Sequence, residues 1–99
     1  MEKILELSHD YSVEALKLYQ ILKSENNEVY LGRKLLTNGI ELGLNVRGEK
    51  SKEQITKYIV EMKYLLNVIC DADYLSRDVI ENMMSIADSI SENITKEEW

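Results

Sequence analysis

Proline and phenylalanine are absent from this 99-residue chain, cysteine, histidine and tryptophan occur once each, and there are only four glycines. Each scarcity excludes something. Without proline, no ring forces a break into a helix; with Leu, Ile, Glu and Lys abundant, the composition points to helices joined by short turns. A lone cysteine, Cys70, cannot staple a small extracellular fold, so a reducing cytoplasm is the expected setting. The lone histidine, His9, falls about 140° round a helix from the nearest apolar face. No second His or Cys stands at ligand spacing, and the Glu-x-x-His pair of bundle di-metal centres is missing. No metal site and no cofactor are therefore expected. Long apolar runs are missing too. The longest, "YLLNVIC" at 64–70, is far short of the roughly 20 residues of a membrane span. The opening "MEKILELSHD" carries acids where a secretory leader needs an apolar centre. Neither a targeting segment nor a membrane partner is expected.

The remaining chemistry-bearing stretches are equally spare. "DADYLSRDVIEN" (71–82) begins like a calcium loop, but it has Ser76 where glycine is needed and Asn82 where a bidentate Glu belongs. It reads as a polar turn. Cys70 follows Ile69 in an apolar run and reads as packing rather than as a nucleophile. The glycines are spaced along a helix instead of clustering between strand and helix, so they build no phosphate loop. No catalytic residue emerges, and the expected protein is not an enzyme.

What is present is helical periodicity, four times over. In the first segment Ile4, Ser8, Tyr11, Ala15, Leu18 and Leu22 recur in steps of three and four and share a face. The second runs from about Glu28 to Arg47, with Gly48 as its stop. Ser51 followed by Gln54 forms a capping box that opens the third, whose face is Ile55, Ile59, Met62, Leu66 and Ile69. Ser76 can cap the fourth, where Val79, Met83, Ala87, Ile90 and Ile94 align. Short connections make neighbouring helices antiparallel, so the expected fold is all-α: one up-down-up-down four-helix bundle over residues 1–99.

The second segment poses a question of its own. Gly32, Gly39 and Gly43 each cost about 1 kcal/mol relative to alanine in a helix interior, yet all three fall on one line, with Leu36 and Val46 close by. A strip without side chains lets another backbone approach closely. From Leu31 round to Ile40 and Leu44 the apolar or small arc spans roughly 220° at about 100° per residue, about twice what one core needs. The wide arc predicts burial on two sides, and a subunit interface through Gly32, Leu36, Gly39, Gly43 and Val46 follows. Close packing within the bundle alone is the plainer reading of the same glycines.

Charge narrows the partners. The net charge is −6, which argues against a general nucleic-acid binder. The middle third is nevertheless locally basic: residues 29–63 hold seven Lys and Arg against four Glu. A solvated helix face explains this, and so would a contact surface for nucleic acid made of Arg47, Lys50, Lys52, Lys57 and Lys63.

The stretch "LLTNGIELGLNVRGEKSKEQITKYIVEMK" (35–63) resembles the signature of the four-helix bundle family related to the 23S rRNA intervening sequence protein. In that family the second helix carries a pattern like L-L-R-S-x-x-S-I-x-x-N-I-x-E, followed by a turn, a Ser and a helix with spaced lysines. Leu35 and Leu36 match the paired leucines, Leu42 takes the Ile position, and Asn45-Val46 match Asn-Ile. Ser51, Lys57 and Lys63 match the residues that follow. The resemblance implies an antiparallel bundle that assembles into a ring, typically a homopentamer, and a bacterial protein whose biochemical role is unknown. More distantly it extends to the accessory variability determinant of diversity-generating retroelements, a basic-surfaced partner of a reverse transcriptase and nucleic acid. The expected function is a structural or protein-interaction module that partners copies of itself and another protein. A nucleic-acid accessory role is the second reading.

Overall fold

The computed structural model describes residues 2–48 and 51–96. They form four helices: α1 (Glu2–Asn26), α2 (Tyr30–Arg47), α3 (Lys52–Asp71) and α4 (Arg77–Lys96). Among the described residues there is no strand. Each helix packs on the next, and α4 closes back on α1, so α1–α3 and α2–α4 are the diagonals of a square. The bundle measures 41 × 20 × 19 Å. This is the all-α four-helix bundle that the periodicity predicts.

The faces read from the sequence are the faces that meet, except that at the start of α4 Ile80 is buried and Val79 only half-buried. Ile4, Tyr11, Ala15 and Leu22 of α1, Ile55, Met62, Leu66 and Ile69 of α3, and Met83, Ala87 and Ile90 of α4 are fully buried. From α2 come Leu35, Leu42 and Val46. Burying one such aliphatic side chain contributes about 1.5–3 kcal/mol, and this is the main force holding the four helices together.

The helix ends show where local chemistry acts. At α3, Ser51 Oγ accepts from the Gln54 N–H at 3.2 Å, as the capping box predicts. Ser76 Oγ likewise accepts from the Val79 N–H, at 3.4 Å. Glu28 does not open α2 as its first residue. It lies just before the helix and its carboxylate accepts from the Leu31 N–H at 2.9 Å, where the positive helix end favours an anion. Gly48 ends α2 at φ −84°, so the left-handed freedom of glycine is unused. Left-handed backbone occurs instead at Asn27 (φ 53°) and Asp73 (φ 66°). Around Asp73 the Tyr74 N–H bonds Ile69 O and the Asp73 N–H bonds Cys70 O, both at 3.0 Å. These two bonds make a Schellman closure of α3. Asn26 Nδ2 then donates to Tyr74 O at 2.8 Å, tying the α1–α2 turn to the α3–α4 turn at one end of the bundle.

Candidate functional site

The glycine line of α2 faces α1 of its own chain. A Cβ on Gly39 would stand 2.4 Å from the Cβ of Ala15, and one on Gly43 would stand 2.8 Å from Ser12 Oγ. At Gly32 it would meet the ring of Tyr19 at 2.8 Å. The close approach is sealed by Ser12 Oγ, which donates to Gly39 O at 2.7 Å. This corrects the expected subunit interface. Gly32, Gly39, Gly43 and Val46 are buried inside the chain and Leu36 is half-buried; the close packing that offsets the glycines' cost is intramolecular. The width of the arc still has a consequence, because its outer flank is uncovered. Ile40 is 45% exposed and Leu44 59%.

That flank continues onto α1, where Leu5, Val13 and Leu16 are also exposed. Val13 and Leu16, with Ile40 and Leu44, wall a shallow apolar groove over the α1–α2 seam, with Ser12 and Gly43 in its floor and His9 and Arg47 along it. Arg47 does not reach outward. Its guanidinium donates to Ser8 Oγ at 3.0 Å and Gly43 O at 2.9 Å, stitching the end of α2 onto α1. A second apolar strip lies on α3, where Val60 (62%), Tyr64 (69%) and Val68 are exposed at a spacing of four. It forms a ridge on the helix side directed away from the core.

The basic residues do not gather. Arg47 is folded onto α1, Lys63 is hydrogen-bonded to Asp88 of α4, and Lys57 is exposed on α3. Lys52 sits half-buried at the start of α3, and Lys50 lies outside the described residues. At about 100° per residue, Lys52 and Lys63 fall on a different side of α3 from Lys57. Among the four described cations there is no single patch.

Between α2 and α3 runs a polar groove bordered by Tyr30, Arg33, Lys34, Glu41, Tyr58 and Glu61. The Lys34 ammonium stands 5.4 Å over the Tyr30 ring. Beneath this groove is a network that the sequence reading missed. Asn38, a polar residue, is only 2% exposed. Tyr11 Oη donates to Asn38 Oδ1 at 2.7 Å, and Asn38 Nδ2 donates to Tyr58 O at 2.9 Å and to Glu61 Oε1 at 2.7 Å. Three helices are joined through one amide. Burial, and then the charge of Glu61, push the Tyr11 hydroxyl far above the ordinary tyrosine range. The signal was available: Asn38 is three residues after Leu35 and four before Leu42, so it borders the core line of α2.

Among the described residues no group of three His, Cys, Asp or Glu could hold a metal ion, and Cys70 is free and half-buried against the core. No described helix is long and apolar enough to cross a membrane.

No model of a protein family matches the sequence, and no curated protein does so. A solved structure does. It is a protein of unknown function from the S23 ribosomal protein family of Bacteroides thetaiotaomicron, with a TM-score of 0.82 over 94% of this chain and 95% of that one. The likeness is one of fold. At 20% identity the two chains share the order and packing of four helices, which agrees with the family resemblance carried by residues 35–63.

Proposed function

We propose that this chain is a non-enzymatic building block, a member of the family related to the 23S rRNA intervening sequence protein. In this reading it assembles with copies of itself into a ring, five-membered on the family pattern, and serves as a structural and protein-interaction module. The observation that carries the reading is the pair of uncovered apolar surfaces, the α1–α2 groove and the α3 ridge, on a chain whose core is already complete. Contiguous exposed apolar patches on a small soluble protein mark interaction sites. One side of a 41 × 20 Å bundle is about 800 Å², the area that each partner contributes to a standard stable interface.

Light scattering after size-exclusion chromatography tests it. A mass several times the 11.5 kDa chain, near five times on the family pattern, is expected. A particle that stays at 11.5 kDa across micromolar to millimolar concentrations overturns the reading. The nucleic-acid alternative rests on the basic middle third, and the scattering of Arg47, Lys57 and Lys63 over different faces weighs against it. Phosphate binding by lysines and arginines falls steeply with salt. A gel shift at low salt that is lost on charge reversal of Lys57 would restore that alternative.

A further inference from the structure

The polar groove between α2 and α3 belongs to neither apolar surface, and its chemistry is different. Four charged side chains border it: Arg33 and Lys34 are positive, Glu41 and Glu61 negative. Among the described residues none of the four forms an ion pair with another. Lys34 lies over the Tyr30 ring, and the Glu61 carboxylate is engaged only at Oε1, by the Asn38 amide. Asn38 is itself locked between Tyr11 and the Tyr58 carbonyl. A buried network therefore holds Glu61 in place and leaves its Oε2 facing the groove. Lys57 stands one turn from Glu61 on α3, but it is about 40° further round the helix, exposed, and outside the groove's lining.

The groove offers about 500 Å³, within the roughly 300–1,000 Å³ of small-molecule sites. Its charges are sorted along the helices. At about 1.5 Å per residue, Lys34 and Arg33 lie about 6 and 7.5 Å from the level that Asn38 shares with Glu61, towards the start of α2. Glu41 lies about 4.5 Å from that level on the other side. A simple anion or cation gains from one pair and loses to the other, because the four charges cancel. A ligand with both charges close together gains from both. The ammonium and carboxylate of an α-amino acid, with a hydrogen bond of about 2.8 Å at each end, span about 8–9 Å. That length falls between the roughly 6 Å from Lys34 to the Glu61 level and the roughly 12 Å from Arg33 to Glu41.

We infer that the α2–α3 groove is a binding site for a free α-amino acid with an aromatic side chain. The ligand's ammonium donates to Glu61 Oε2, with Glu41 behind it, and its carboxylate accepts from Arg33 and Lys34. Its side chain lies on the Tyr30 ring, which is 69% exposed with Lys34 over one face, so the other face is open for stacking.

Isothermal titration calorimetry of the full chain with phenylalanine tests this, and saturable binding of one molecule per chain is expected. Hydrocinnamate lacks the ammonium, phenethylamine lacks the carboxylate, and glycine has both charges but no ring. Each is expected to bind more weakly by about tenfold or more. Arg33→Gln and Glu61→Gln should each weaken phenylalanine binding by about tenfold. Arg33 is exposed and a glutamine at 61 still accepts from Asn38, so circular dichroism melts should match wild type and separate a lost site from a lost fold. Absence of saturable heat up to about 10 mM phenylalanine overturns the site. So does equal binding of glycine or of either single-charge analogue, or undiminished binding in either variant. None of these readouts depends on the mass of the particle, so the self-assembly reading stands or falls separately.

Discussion

At the scale of single residues the molecule depends on two contacts between helices that sequence reading saw only in part. Gly39 against Ala15 is one. A methyl on Gly39 would lie 2.4 Å from the Ala15 Cβ, and neither carbon can swing aside, so the helices must part. Gly39→Ala is expected to cost about 1–3 kcal/mol, outweighing the roughly 1 kcal/mol of helix propensity gained. Thermal denaturation should show a fall of several degrees, at about 4–8 °C per kcal/mol in a domain of this size. A methyl at Gly43 would stand 2.8 Å from Ser12 Oγ, which can give way only by leaving Gly39 O; that loss roughly offsets the helix propensity gained, so Gly43→Ala should change stability by less than about 1 kcal/mol. The second contact is Tyr11–Asn38–Glu61. The Tyr11 hydroxyl titrates higher in the fold than in the unfolded chain, whose value is near 10.0. The stability this contributes is complete below about pH 10 and is lost as the pH rises beyond it, because only the unfolded chain then releases the proton readily. Urea denaturation from pH 8 to 11 should give a shallower alkaline decline for Tyr11→Phe than for wild type.

At the scale of elements, the turn residues carry the next prediction. Asp73 holds a left-handed backbone at the end of α3, φ 66°, where glycine has no steric cost. Asp73→Gly should stabilise by up to about 1 kcal/mol, and Asp73→Val should destabilise by about 1–2 kcal/mol, read as shifts of melting temperature in opposite directions. The sequence spoke clearly about these elements wherever one residue decides the local geometry. Ser51 and Ser76 cap where they were expected to, and the runs through Ile4–Leu22 and Ile55–Ile69 are buried as spaced. It spoke less clearly where a partner decides. The glycines of α2 announced a close approach, but periodicity alone cannot say whether the approaching backbone belongs to the same chain. A polar side chain such as Asn38 belongs in water by its own chemistry; only the arrival of Tyr11 and Glu61 from two other helices makes its burial favourable. The basic middle third was a fact of composition. Its dispersal follows from Arg47 being drawn back to Ser8 and Gly43, and Lys63 to Asp88.

At the scale of the whole molecule, uncovered apolar surface links stability to concentration. If self-association hides the α1–α2 groove and the α3 ridge, the melting temperature should rise with protein concentration, because mass action favours the assembled state. Scanning calorimetry at micromolar and at millimolar chain should differ by several degrees in wild type and by nothing in Leu44→Glu. The two uncovered faces carry one more consequence. Between them lies the side formed by α2 and α3, bordered by Arg33, Lys34, Glu41 and Glu61 with the ring of Tyr30. Any partner that covers both faces brings its own surface against this alternation of positive and negative groups.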